Sequence, residues 1–201
     1  MPKHVDHAQR RRELMDAAAA VIAAEGIDAA TVRRIAAASG CTTGMVTHYF
    51  TSKHELIIGA IRQVHRRAGD RMIARRRCMS GVDALRAVLL EALPLDAARE
   101  AEWRVWLAFW GVAWTSQLLI EEHNARYALW RRFIRELLAE AARHGHIKRG
   151  LDLDAAAAHL IALADGIGLQ IIYEPTRLTR QRAVSMIEAQ LSQLTTAVHP
   201  R

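Results

Sequence analysis

Between its glycine and proline breaks the chain repeats one pattern: apolar residues return every three or four positions, the period of a helix buried along one side. Leu14, Ala18, Val21 and Ile22 share a face in a first segment that Gly26 ends. Val32, Ile35 and Ala36 share a face in a second, running from Thr31 to Ser39. Gly40 closes that helix where a tight turn needs a left-handed backbone, and a third short helix follows from Thr43 to Phe50. Thr51 or Ser52 then caps a long helix from Lys53 to about Cys78. Breaks at Gly81, Pro94, Gly145, Gly150 and Pro175 divide the rest into helices near 82–93, 96–114, 121–144, 152–173 and 179–197. Strand signals are nearly absent, so the predicted fold class is all-α: an N-terminal three-helix domain over residues 1–53, and a helical domain over 54–201.

Composition narrows the partners. The 201 residues carry 28 Lys and Arg against 21 acidic residues, a formal charge of +7, which favours a polyanion. Cys41 and Cys78 have no paired spacing that would hold zinc or frame a disulfide scaffold, so a reducing cytoplasm is the expected location and no metal site is assigned. His144 and His146 flank Gly145, and His4 and His7 stand in an N-terminal arm, positions where histidines usually face solvent. Residues 1–12 are polar and basic without an apolar leader core, and no uncharged apolar run reaches the ~18 residues of a membrane span, so no membrane association is expected. No phosphate-cradling glycine loop, nucleophile elbow or ordered ligand triad is present, which argues against an enzyme and against a cofactor.

Residues 31–50 suit a helix-turn-helix. Val46 and Phe50 can face inward onto Val21, Ile35 and Ala36, leaving Thr42, Thr43, Gly44, Met45, Thr47 and His48 available to a DNA groove or its walls. Periodicity alone would equally allow an ordinary helical hairpin. The residues themselves are more specific. Gly40-Cys-Thr-Thr-Gly-Met-Val-Thr-His-Tyr-Phe50, then Thr-Ser-Lys-His-Glu-Leu56, with Thr31-Val-Arg-Arg-Ile-Ala-Ala36 upstream, resembles the DNA-binding signature of the TetR family of repressors over roughly residues 10 to 58. The resemblance implies that Arg33 reaches a guanine edge, that Thr43, Gly44, Met45 and His48 face the bases, and that Thr31, Thr47, Tyr49 and Lys53 contact phosphate. Many family members have Tyr where this chain has Thr47.

That departure, with His48-Tyr49-Phe50, resembles the BetI-type subgroup of choline-responsive repressors. Met1-Pro-Lys3, Arg10-Arg-Arg-Glu-Leu14, Trp106-Leu-Ala-Phe-Trp110, Ala162-Leu-Ala-Asp-Gly166, Leu169, Arg182 and Ala183 are further matches, short and mainly apolar. The basic run Arg10, Arg11 and Arg12 precedes the first helix and is either a DNA-touching arm or a solvated charge run. Arg62, Arg66, Arg67, Arg71, Arg75, Arg76 and Arg77 spread over several faces of the long helix and are expected to solubilise it and pair locally.

Trp103, Trp106, Trp110 and Trp114, spaced 3, 4 and 4 residues apart, form one helical stripe, with Phe109 beside it and Glu102 a turn before Trp106. Such a stripe is either core or the lining of a pocket. As a pocket, its indole faces and an acid would suit a small-molecule effector that is a quaternary ammonium or amine cation, choline among them. Asp165, in a mostly apolar helix, is a second candidate acid or else a helix-to-helix partner. Leu160, Ile161, Ile167 and Ile171, then Ala183, Met186, Ile187, Gln190, Leu191 and Leu194, give the last two helices apolar faces that would pair a homodimer through a four-helix bundle. Two-fold symmetry predicts an inverted-repeat operator in double-stranded DNA. The competing reading is a basic helical architectural protein that binds any duplex alike.

Overall fold

The computed structural model describes residues 6–196 and contains among them nine helices: α1 (His7–Glu25), α2 (Val32–Ser39), α3 (Thr43–Tyr49), α4 (Lys53–Arg77), α5 (Gly81–Glu91), α6 (Ala97–Ala113), α7 (Gln117–Arg143), α8 (Leu153–Tyr173) and α9 (Arg180–Leu194). Among the described residues the only β pairing is an isolated bridge between Ile147 and Thr195. The Met1-Pro-Lys3 match, His4 and the chain beyond Thr196 lie outside the described residues.

Short polar side chains set the helix starts. Asp6 accepts the Ala8 and Gln9 N–H groups at 3.0 Å, so α1 begins at His7. The arginine run therefore sits inside α1 and not ahead of it: Arg10 pairs with Glu13 (2.8 Å), while Arg11 pairs with Glu55 (3.2 Å) and covers the Phe50 ring at 5.1 Å. Thr31 caps α2 and Thr42 caps α3, accepting the Arg34 and Met45 N–H groups at 3.2 and 3.3 Å. Gly40 ends α2 at φ 64°, ψ 30°, the left-handed region a Cβ disfavours. Ser52 accepts the Glu55 N–H (3.1 Å), and Glu55 reaches back to the Thr51 N–H (2.9 Å) and hydroxyl (3.0 Å). The Thr51 amide first, then its hydroxyl and Arg11, hold the Glu55 carboxyl below its ordinary value.

The chain forms two compact units, each assembled from separate stretches: the residues up to Arg67 with Ala101–His123, and Ala68–Glu100 with Asn124 onward. The first has one core, in which Leu14, Ala18 and Ile22 of α1, Ile35 of α2, Val46 and Phe50 meet Leu56, Ile61 and Val64 of α4 and Val105 and Phe109 of α6. In the second, Leu85, Val88 and Leu89 of α5, Ile134, Leu137 and Leu138 of α7, Leu160, Ala164 and Ile167 of α8, and Ala183, Ile187 and Leu191 of α9 are buried. The α7–α8 connection is tied to the end of α9 by Lys148 N–H to Leu194 C=O (3.0 Å) and Thr196 N–H to His146 C=O (3.1 Å). Gly81 starts α5 at φ 59°, and a Cβ there would lie 2.4 Å from His146 Nδ1, so no larger residue fits without displacing that ring.

The arginines of α4 do more than solubilise it. In the first unit Arg62 grips Glu122 (2.6 Å), and Arg67 meets Asp16 (2.9 Å) and Glu102 (3.6 Å), while Arg66 donates to Gln63 (2.7 Å). In the second, Arg71 and Arg75 converge on Glu91 (2.7 and 3.5 Å), and Arg76 meets Glu140 (3.2 Å). Glu91, Glu102 and Glu122 are all buried, so each guanidinium balances a charge that would otherwise be costly in the interior.

By length and composition, α8 is a helix long and apolar enough to cross a membrane. It nevertheless carries Asp165 in its middle, and the face with Leu160, Ile161, Ala164, Ile167 and Ile171 is buried in the unit's own core.

Candidate functional site

The exposed surface of α2 and α3 gathers the residues predicted to meet DNA. Val46 and Phe50 turn into the core, as the helical period requires, and Thr31, Arg33, Thr42, Thr43, Gly44, Thr47, His48 and Lys53 are exposed, with Met45 and Tyr49 half-buried at the edge. Two adjacent arginines part company here. Arg34 forks onto Glu25 (2.9 Å from Nε), lowering that carboxyl's pKa, whereas Arg33 has no ion pair or hydrogen bond among the described residues. Lys53 keeps a loose contact of 3.4 Å with the exposed Asp28. Thr31 and Thr42 accept backbone N–H groups as caps and keep their hydroxyl protons to donate, whereas the Thr47 hydroxyl donates to the Gly44 carbonyl at 3.1 Å and in this rotamer offers only acceptor capacity and its methyl group.

One member of this surface was not visible in the sequence. His7 Nδ1 lies 2.8 Å from the Tyr49 hydroxyl, and its ring is 6.2 Å from that of His48, itself 5.1 Å from Tyr49. The signal was Asp6, whose capping role puts His7 in the first turn of a helix and not in a free arm.

The predicted effector residues divide. Glu102 (5% exposed), Trp103 (2%) and Phe109 are buried in the first unit, and Trp106 and Trp110 are half-buried beside them. Trp103 makes edge-on contacts with Trp106 (5.5 Å, 64°) and Trp110 (5.8 Å, 82°), and His65 stacks on Trp106 (5.5 Å, 26°). The Trp106 Nε1–H is buried and has no acceptor among the described residues. Trp114 stands apart. It falls just beyond the end of α6, is 74% exposed, and donates to the Gly111 carbonyl at 2.9 Å. The stripe thus comprises three indoles, because the helix that would present the fourth has ended.

Asp165 belongs to the second unit, where it accepts the Tyr127 hydroxyl at 2.7 Å. Burial pushes the Asp165 carboxyl up, opposed by that hydrogen bond and by the Arg131 charge. Burial and then the Asp165 charge push the Tyr127 phenol up as well. The same unit holds the residues predicted for a dimer contact. Leu160, Ile161, Ile167, Ile171, Ala183, Ile187 and Leu191 are buried within the protomer's own core, Gln190 and Leu194 are half-buried, and Met186 is exposed. The large apolar side chains that α8 and α9 leave outside are Leu169, Tyr173 and Met186; the last lines an open groove of about 400 Å³ with Arg177, Leu178 and Arg182. Periodicity identified apolar faces but could not separate the part that fills the protomer from the part left uncovered.

Residues 14–60 match the family model of bacterial regulatory proteins of the TetR family, and residues 81–196 match that of the BetI-type transcriptional repressor C-terminal domain. The chain is 30% identical to the HTH-type transcriptional regulator PksA of Bacillus subtilis over 93% of its own length and 90% of that protein. It is 31% identical to the HTH-type transcriptional regulator BetI 1 of Chromohalobacter salexigens, covering 97% and 96% of the two chains. Among solved structures, a Saccharomonospora viridis protein crystallised in complex with choline superposes with a TM-score of 0.86 at 22% identity, over 94% of this chain and 99% of that one.

Proposed function

We propose, for a chain that belongs to the TetR family and carries a BetI-type C-terminal domain, that it represses from an inverted-repeat operator and is released by a small cationic effector. The protein is a DNA-binding transcriptional regulator, and regulators of this family bind operator DNA and dimerise. The observation that carries the finer reading is the contrast between Arg33 and Arg34: on an exposed helix-turn-helix, one guanidinium is neutralised by Glu25 and the next is free to fork onto a guanine edge. Met45 and His48 extend that surface to base edges, and Thr31, Thr47, Tyr49 and Lys53 face phosphates. Residues 1–53 are the reading part in this scheme, and 54–201 the sensing and pairing part.

The dimer uses α8 and α9, with Leu169, Tyr173 and Met186 supplying apolar area left outside the protomer core. The effector candidate is a quaternary ammonium such as choline. Its support is the indole cluster with the buried carboxylate of Glu102, and the Trp106 N–H, which could donate to an effector oxygen. Occupancy favours a spacing of the two recognition helices that no longer fits the operator, with α4, common to both units, transmitting the change. The chemistry is binding and not catalysis, and the location is the cytoplasm.

Selection of bound duplex from a random pool, with and without choline, tests the whole scheme. The expected product is one palindrome bound at least ~10³-fold better than random duplex at the same salt, with enrichment lost when choline is present. Equal retention of all duplexes, with a steep salt dependence throughout, would instead establish the architectural reading. A palindrome that choline never releases leaves the repressor standing and removes the cation.

A further inference from the structure

We infer that His7 is a positioning residue for operator binding, and that it makes the grip of Tyr49 on phosphate depend on a proton. The inference rests on the reading of Tyr49 as a phosphate contact. A phenol has one proton to give. With His7 Nδ1 only 2.8 Å from the Tyr49 oxygen, a bare Nδ1 takes that proton in a hydrogen bond, and the hydroxyl then has nothing to donate to a phosphate oxygen. When Nδ1 carries hydrogen the bond reverses: His7 donates, Tyr49 accepts, and its own O–H is released toward the backbone of the DNA. An imidazolium does this while adding a positive charge beside the phosphates. No covalent bond to carbon or phosphorus changes; a proton taken from solvent resides on the His7 imidazole in the bound state.

The surroundings favour this direction. From α3, His7 faces the rings of Tyr49 (5.9 Å between centroids) and His48 (6.2 Å). On its own helix stand Asp6, whose carboxylate is committed to capping the Ala8 and Gln9 amides, Arg10, paired with Glu13, and Arg11, paired with Glu55. An approaching phosphate is therefore the natural counter-ion for a protonated His7. By linkage, operator binding takes up a proton and strengthens as pH falls through the range where imidazoles titrate. His48 lies on the same surface, so the His7 share has to be isolated by substitution.

The test measures affinity for the duplex selected from a random pool, at pH 6 and pH 8.5 and constant ionic strength, for the full-length protein, Tyr49→Phe, His7→Ala and His7→Asn. The Asn amide nitrogen can stand close to Nδ1 and always carries hydrogen, so it preserves the donated bond without titrating. Removing one solvent-exposed hydrogen bond of ordinary strength is worth about 3- to 10-fold, so Tyr49→Phe and His7→Ala should each weaken binding by that factor at pH 6. His7→Asn should bind within about twofold of the native protein at pH 6 and bind more tightly than it at pH 8.5, having lost the pH slope that His7 contributes. Adding His7→Ala to Tyr49→Phe should cost little more, since the two act through one hydroxyl. If Tyr49→Phe binds as the native protein does, the phosphate role of Tyr49 is wrong and the inference falls with it. If Tyr49→Phe weakens binding but His7→Asn keeps the native pH slope, or the two losses simply add, the inference alone is overturned.

Discussion

The reading surface on α2 and α3 and the indole cluster on α6 are built from opposite uses of the same helical period. On α2 and α3 a few apolar residues, Ile35, Ala36, Val46 and Phe50, anchor two short helices, and nearly everything else is presented outward with Arg33 unpaired. On α6 the conspicuous residues turn inward: Trp103 and Phe109 are core, Glu102 is buried against Arg67, and only Trp106 and Trp110 retain partial exposure. A surface for a polyanion must keep its donors out of internal bonds. A pocket for a small cation uses the same aromatic and acidic side chains that would make a good core, so burial alone says little about ligand binding.

The largest expected effect probes the buried side. Trp103→Ala should lose about 3–5 kcal/mol of stability by leaving an indole-sized cavity, while Trp114→Ala, with that side chain exposed, should stay within about 0.5 kcal/mol. Denaturant titration at fixed protein concentration compares them, and similar losses would place Trp114 in a packed environment after all. Next comes the outward side. Arg33→Ala should weaken operator binding about 10- to 100-fold and relax the preference at one base pair, whereas Arg34→Ala should change affinity by less than about threefold. Were Arg34→Ala the more damaging, the free-versus-paired distinction between the two would be misassigned.

Neither contrast was readable before the fold was known, although the elements that carry them were. Gly26, Gly40, Gly81, Pro94 and Pro175 punctuate the helices as expected, and the motif from Gly40 to Phe50 marks the proposed reading surface because its roles depend on local spacing within some twenty residues. What depends on residues far apart in sequence stayed hidden. Glu25 next to Arg34, Glu122 next to Arg62 and Tyr49 next to His7 are separated by 9, 60 and 42 residues, and no periodicity connects them. Local pairing was expected for the α4 arginines, but the acids they meet come from α1, α5, α6 and α7. Seven of the ten residues assigned to a dimer contact are buried within the protomer, since an apolar face does not declare which chain will cover it.

Two smaller effects refine the comparison. Lys53→Ala should weaken binding about 3- to 10-fold for every sequence and reduce the salt slope by about one, because it loses a phosphate contact and no base contact. Unequal losses across sequences would assign it to base readout. In the second unit, Asp165 has its native pKa raised, so the native state holds that proton more tightly than the unfolded chain does. Its contribution to stability is therefore greatest at acid pH and is lost as pH rises from the ordinary carboxyl range through the raised value. Asp165→Asn should flatten stability over that window, and an unchanged slope would show that another group is responsible.

Asp165 has a consequence that begins before the chain has folded. As α8 is synthesised, its apolar composition would suit the machinery that inserts helices into lipid, and the carboxylate in its middle imposes a cost of roughly 2.5–3.5 kcal/mol on that route. Folding offsets the same polar group with the Tyr127 hydroxyl. That one carboxyl group thus makes lipid a costlier destination for an otherwise apolar helix and gives the folded unit an interior hydrogen-bond partner; Asp165→Leu would remove both the cost and the bond.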